Sequence, residues 1–323
     1  MKVILACAAL AATFCAGGAV AASDAYPTRS ITMVVAYPPG GSTDTAARLV
    51  ADRLGRELGQ TVVVENRPGA GGVIGATSVS KAKPDGYTLL FAASPELSIA
   101  GLTNKSLAYD PNKDFAPISL VGQVPFILVA NNAFPPDSVQ ALIDYAKQNP
   151  GKVNYSSFGN NTSNHLGGAL FSARAGIQMT HIPYRGSAPS LTDLMGGQVQ
   201  ITFDTITAVL PLIQTGKVKA LAVATAERSP LVPELPTIAE SGVPGFTGGT
   251  WFGMLAPAGT PETAVGKLSA ALDKVLKSDD IGQQFSSRGI QASPSSPAEF
   301  QAFLASEVAK WAAAADQIGI KAE

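Results

Sequence analysis

Short apolar runs alternate along this chain with stretches of helical periodicity, and few folds accept that pattern. ITMVVAY (31–37) is apolar on both faces of an extended strand. TDTAARLVADRLGREL (43–58) follows it as a helix, with Ala47, Val50, Leu54 and Leu58 near one face. The order repeats through TVVVE, a glycine-rich turn NRPGAGGVIG, a short helix to Lys81, and PDGYTLLFAAS. Such alternation predicts parallel sheets flanked by helices, an α/β fold. FAPISLVGQVPFILVAN (115–131) reads as two strands running across to a second lobe. There helices DSVQALIDYAKQNP, SNHLGGALFSARAG, SAPSLTDLMGG and AVLPLIQTG alternate with strands VNYSSFG, MTHIPY, VQITFD and VKALAVAT. Two amphipathic helices end the chain; Phe300, Phe303, Leu304, Val308 and Trp311 form one apolar stripe on the second, a core face.

The start of the chain reads differently. Lys2 precedes an apolar run over 3–20, and Ala19-Val20-Ala21 has the small-x-small pattern of an export signal, cleaved after Ala21. The run is mostly Ala and Gly, so it is a weak membrane anchor. Cleavage leaves 323 minus 21, or 302 residues, and removes both cysteines, Cys7 and Cys15. The mature chain then has no thiol, disulfide or Cys-based metal site despite facing an oxidising compartment. Its size suits two lobes better than one. With Lys2 gone, 22 basic against 24 acidic residues give a net charge of −2. That balance, without a run of Lys or Arg, argues against nucleic acid and against an electrostatic membrane surface.

Two places stand out. AYPPGGSTD (36–44) and SSFGNNTSNH (156–165) each end a strand in small polar residues and open a helix. Ligands of open α/β sheets bind at such strand ends, so two mouths on two lobes predict a cleft between them. A phosphate loop is excluded, because none of the Gly-Lys pairs at 151, 216 and 266 precedes Ser or Thr. Gly69, Gly71, Gly72 and Gly75 miss the dinucleotide-binding register by one residue and follow the second strand, not the first. There is no G-x-S-x-G elbow for an α/β hydrolase, and His165 and His181 lack a paired metal-ligand spacing. What remains at Gly40 and Gly41 is a helix start whose backbone N–H groups attract anions without a formal cation. With Gly41 as N-cap, Asp44 is at N3 and reaches back to the N-cap N–H.

Seven blocks in this order resemble the Bug family, the solute receptors of tripartite tricarboxylate transporters: PPGGSTDTAARLVADRLG, VVVENRPGAGGVIGA, PDGYTLL, HIPYRG, LTDLMGGQVQITFDT, LPTIAESGVPGF and WFGMLAPAGTP. The resemblance covers Tyr26 to Glu323. It implies a monomeric periplasmic receptor of two α/β lobes, each a mostly parallel sheet flanked by helices, closing as a type II flytrap on a small carboxylate. Lobe 1 takes residues 26–122 and 227–323, lobe 2 residues 123–226. By resemblance, the first mouth places Tyr37, Gly40, Gly41 and Ser42 at the ligand, partly through ordered water, and the loop after the third strand adds Ala93 and Ser94. The second mouth adds Ser157, Gly159, Asn160, Asn161, Thr162 and His165, and the FDT strand end adds Asp204 and Thr205. This chain has Ser94-Pro95-Glu96 where many members have Ser-Gly or Gly-x-Gly.

The implied receptor needs no cofactor, metal or catalytic residue, and its partners are the membrane subunits of the transporter, or a sensor protein. Di- and tricarboxylates, amino acids and aromatic acids all suit its donors. Blander roles stay open: Gly40 and Gly41 as a plain helix start, Asn160, Asn161 and Thr162 as caps, Asp204 as a loop-orienting carboxylate, and Tyr184 and Arg185 as hinge or rim residues. The rival from another class is a secreted α/β hydrolase using Ser42 or Ser157 with His165.

Overall fold

The computed structural model describes residues 26–320 and 322; the expected export signal over 1–21 lies outside the described residues. The chain opens with β1 (Ile31–Val35), α1 (Ser42–Leu58), β2 (Val62–Asn66), α2 (Val73–Ser80), β3 (Thr88–Ala93), α3 (Ala100–Thr103) and β4 (Phe115–Ala130). It continues through α4 (Val139–Gln148), β5 (Val153–Ser157), α5 (Ser163–Ala175), β6 (Met179–Pro183), α6 (Ser187–Met195), β7 (Ile201–Thr205), α7 (Ile206–Gln214) and β8 (Lys219–Val223). It ends with β9 (Gly249–Pro257), α8 (Glu262–Leu276), α9 (Asp279–Ser286), β10 (Gln291–Ala292) and α10 (Pro297–Ile318).

The strands lie in the order β2-β1-β3-β9-β4-β7-β5-β6, with β8 and β10 both on β4. Parallel pairing holds where the alternation is regular: β1 with β2 and β3, and β5 with β6 and β7. Between these outer sets β4 and β9 run antiparallel to their neighbours. The stretch expected as two strands is one 16-residue strand, β4. Its first half pairs with β9 and its second with β7 and β8. Register shifts between Pro117 and Ser119 and between Leu120 and Gly122 take up Pro117 and Gly122 within the strand, and Pro125 pairs with Gly249 in register. Bulges bend a strand without ending it.

Burial follows the pattern that predicted it. Ile31, Met33, Val34 and Val35 of β1 have no exposed surface, and α1 turns Ala46, Ala47, Val50, Ala51 and Leu54 onto the sheet. The stretch expected with the first lobe, 227–323, divides its packing. Phe300 and Leu304 join Val34, Leu90 and Trp251 in one core, whereas Ile238, Val243, Phe246, Trp311 and Ala314 join Leu166, Phe171 and Phe203 in another. Helix α10 starts in a capping box, Ser296 with Glu299, and runs across both sheets as a strap. Trp311 is a core residue, as its stripe implies.

At Gly253 on β9 an added Cβ would stand 2.1 Å from the Phe300 ring, so Gly253→Ala overpacks the joint between sheet and strap. We expect it to lower unfolding stability by about 1–3 kcal/mol in denaturant titration; an unchanged midpoint would show that α10 yields freely.

Candidate functional site

Three helices begin at the carboxyl ends of strands and point their first turns into one space. α1 starts at Gly41 after β1, α5 at Thr162 after β5, and α6 at Gly186 after β6, and at none of them does the N-cap side chain bond the first turn. The first N–H groups of a helix have no partner inside it, and together they carry about half a positive charge. Gly41, Ser42 and Thr43 of the first start, Ser163 of the second, and Gly186, Ser187 and Ala188 of the third line one cavity. Tyr37, Pro38, Pro39, Ala93, Pro95, Phe158 and Thr250 complete its wall. None of these residues is charged.

The two sides meet closely. An added Cβ at Gly186 would stand 3.2 Å from the Pro38 ring, and one at Gly71 3.2 Å from the Asn160 carbonyl oxygen. The enclosed volume is about 40 Å³, room for two or three waters at roughly 10–15 Å³ each. A carboxylate with a carbon chain requires the sides to part. A wider recess of about 570 Å³ runs along α1 and the edge strand β2, but it is an open surface groove sharing no residue with the cavity.

Of the residues expected at the ligand, Tyr37, Gly41, Ser42 and Ala93 line the cavity. Gly40 and Gly41 differ. Gly40 has φ +87° and its N–H donates to Asp44 Oδ2 at 3.0 Å, so that group is already engaged. Asp44 thus reaches one residue past the expected N-cap, to the N–H of Gly40 rather than that of Gly41. Asn66 Nδ2 and Arg48 also bond the Asp44 carboxylate. Burial pushes that carboxyl up, but the bonds from Arg48, Gly40 and Asn66 outweigh it and hold it below its ordinary value. Gly41 leaves open space around an added Cβ.

The others stand behind the wall. Ser94 is buried with its hydroxyl 3.1 Å from Thr250 Oγ1. The Thr162 hydroxyl lies 2.7 Å from the Gly159 carbonyl oxygen and 2.8 Å from Asn164 Oδ1, and its one proton serves a single one of them. Asn160 is exposed, and Asn161, at φ +60°, donates its N–H to His165 Nδ1. Asp204 is fully buried: Ser187 donates to its Oδ2 at 2.6 Å, and the Thr205 N–H and hydroxyl donate to its Oδ1. Burial pushes its carboxyl up to about 7 against those bonds. Tyr184 donates to Asp193, and Arg185 is exposed.

The hydrolase pairing of Ser157 with His165 is not what forms. Ser157 Oγ lies 2.6 Å from His181 Nε2, and His165 stacks on the His181 ring at 3.8 Å. Burial lowers both imidazoles to about 4, His181 also through His165. Among the described residues no carboxylate bonds either ring, and neither histidine lines the cavity. The sequence reading had the helix SAPSLTDLMGG but not its start as a third mouth: YRGSAPS carries the same Gly-Ser helix start as the first mouth, after β6.

Comparison with known proteins places the fold in a family. Residues 46–320 match the profile described as "Tripartite tricarboxylate transporter family receptor". Protein BugT of Bordetella pertussis is 39% identical over 300 residues, covering 93% of this chain and 92% of BugT. The solved structure of Rpa4515 from R. palustris with adipate superposes with a TM-score of 0.90 at 38% identity, over 92% of this chain and all of that one. The periplasmic binding protein BugD superposes with a TM-score of 0.88 at 38% identity, over 92% of this chain and all of BugD. The chain belongs to the tripartite tricarboxylate transporter receptor family, with the two-lobed α/β fold of periplasmic binding proteins.

Proposed function

We propose that this chain is a monomeric periplasmic receptor that captures a small carboxylate between its lobes and delivers it, chemically unchanged, to the membrane subunits of a tripartite tricarboxylate transporter. The observation that carries this reading is the convergence of three uncapped helix starts on a cavity wall free of charged side chains. Backbone N–H groups bind a carboxylate strongly when water is excluded, yet release it more readily than a buried Arg would. Adipate in Rpa4515 supports the ligand class.

Tyr37, Gly41, Ser42 and Ala93 are the contacts we assign to the ligand from the first side. Gly40, Ser94, Ser157, Gly159, Asn160, Asn161, Thr162, His165, Asp204 and Thr205 act from behind, by shaping the loops that present the N–H groups. Lobe 1 (26–122 and 227–323, apart from Ile238, Val243, Phe246 and the end of α10, which pack in the other core) and lobe 2 (123–226) hinge at the bulge near Gly122, where the ladder of β4 is interrupted. The export signal ends at Ala21. N-terminal sequencing of exported protein should begin at Ala22; a start at Met1 overturns this part of the reading.

Opening follows from the cavity size. Small-angle scattering should show an expanded form without ligand that compacts on saturation with adipate, and identical curves would exclude closure. Gly41→Val tests the mouth itself. The backbone there accepts a side chain without strain, so the variant should melt like the parent and lose about 1–3 kcal/mol of binding, read by calorimetry. A folded Gly41→Val protein with full affinity would make this mouth a plain helix start. Asp44→Asn removes a negative charge beside the same mouth but keeps hydrogen-bonding capacity. Binding should hold or tighten, while stability falls by about 0.5–2 kcal/mol.

A further inference from the structure

Glu96 stands where this chain departs from many relatives, and nothing above gives it a role. Its residue is fully buried on the wide helical turn Pro95–Ile99 that follows β3. Oε1 accepts the Ala93 N–H at 2.7 Å, and Oε2 lies 3.0 Å from the hydroxyl of Tyr37, a cavity residue. The same hydroxyl lies 3.2 Å from the Gly71 carbonyl oxygen. An added Cβ at Gly72 would meet Oε2 at 2.8 Å, so only glycine lets the backbone pass over this carboxyl.

The protons can be counted. Tyr37 has one hydroxyl proton and two oxygen neighbours, a carbonyl and a carboxyl. If Glu96 is ionised, both neighbours are acceptors, and one of the two short contacts sets lone pair against lone pair. If Glu96 holds a proton, every contact is a bond: Oε2–H donates to the Tyr37 oxygen, Tyr37 donates to Gly71, and Oε1 accepts from Ala93. No cation compensates an ionised form. The titratable groups touching Glu96 are Tyr37 and Tyr109, the latter donating to the Glu96 carbonyl. α3, β3 and the turn Ala70–Gly72, packed on this turn, carry no charged side chain. On α10, which also packs on it, Glu307 is paired with Lys310, Glu299 is spent in the capping box, and Asp316 lies near the far end. Asp204, the other carboxyl behind the wall, meets only donors and has no missing proton.

We propose that Glu96 is a positioning residue that carries a proton through Tyr37, so that binding an anion at the first mouth is coupled to keeping Glu96 protonated. An anion at Gly41–Thr43 stands across the Tyr37 side chain from this carboxyl. It repels an ionised Glu96 and is indifferent to a neutral one. This coupling rests on the carboxylate reading above, and deepens it: the receptor takes its ligand together with a proton. Burial raises Glu96 to about 7, against the bonds from the Ala93 and Glu96 N–H groups and from Tyr37.

Two measurements test this, one without ligand. Calorimetry with adipate should give constant affinity below about pH 7 and a fall of up to tenfold per pH unit above it, the limit for one proton. Glu96→Gln, whose amide can donate to Tyr37 and accept from Ala93, should bind equally at pH 6.5 and 8.5. Asp204→Asn should keep the slope. A flat parent profile, a slope surviving in Glu96→Gln, or one lost in Asp204→Asn with Glu96→Gln unchanged overturns the proposal. The second measurement compares melting of the parent and Glu96→Gln between pH 4.5 and 8. A carboxyl raised in the fold stabilises fully below its unfolded value of 4.5 and loses that stability as pH rises through about 7. The parent should therefore fall relative to Glu96→Gln over that window. If adipate binds at no pH, the carboxylate reading fails for this probe and the melting comparison still decides: parallel curves overturn the role of Glu96.

Discussion

Unpaired backbone N–H groups at the starts of α1, α5 and α6 are the interaction on which the rest depends. A helix start buried without partners is costly, at about 1–3 kcal/mol for each unsatisfied donor. Natural proteins meet that cost with Ser, Thr, Asp or Asn at the N-cap. Here Gly41 and Gly186 stand at two of the starts, and at the third Thr162 turns its hydroxyl to Gly159 and Asn164. Ser138, Ser278 and Ser296 bond their own helices, whereas the starts of α2, α3, α7 and α8 also lack a side-chain cap; what sets α1, α5 and α6 apart is that their first turns line one cavity.

The wall around those N–H groups follows from the same physics. A charged side chain in the cavity would bind or repel a carboxylate regardless of the rest of the ligand, so the neutral lining leaves shape and backbone geometry to select. Negative charge is set one layer back, in Asp44, Glu96 and Asp204, each handled differently. Asp44 is neutralised by Arg48 and spends itself on Gly40 and Asn66. Asp204 is surrounded by donors, among them Ser187 of the wall. Glu96 has neither cation nor enough donors. These carboxyls order the loops, and only the last has a proton to account for.

How much of this was legible depended on range. The α/β alternation and the buried faces of β1 and α1 are local, and periodicity reported them. So were Gly41, Ser42 and Asp44 at the first mouth, because Pro-Pro-Gly-Gly punctuates a strand end unmistakably. The single strand β4 was misread as two, since Pro and Gly mark breaks unless a neighbouring strand supplies a bulge, and that neighbour, β9, is more than a hundred residues on. The rival pairing of Ser157 with His165 does not form, for a similar reason. His165 is near in sequence, but the parallel register of β5 with β6 sets Tyr155 opposite His181 and brings that ring to Ser157. Ser187 and Thr250 reach the cavity only through such pairings, and no spacing announces them.

Closure has to be reconciled with the connections across the cleft. β4 passes through both sheets as one strand, α10 is packed into a core on each side, and the segment from β8 to β9 places Phe246 on one side and Trp251 on the other. Three crossings that are each buried cannot slide; they can only bend. The ladder of β4 is interrupted at the Leu120–Gly122 bulge, and Thr250 and Ala93 of the cavity wall stand on β9 and β3, the next two strands, so bending there reaches the cavity directly. Across the cavity Gly186 lies against Pro38 and Gly71 against Asn160, each with only 3.2 Å for an added Cβ. Glycine at 71 and 186 therefore lets two backbones meet across the cavity, whereas Gly41 forms part of its wall.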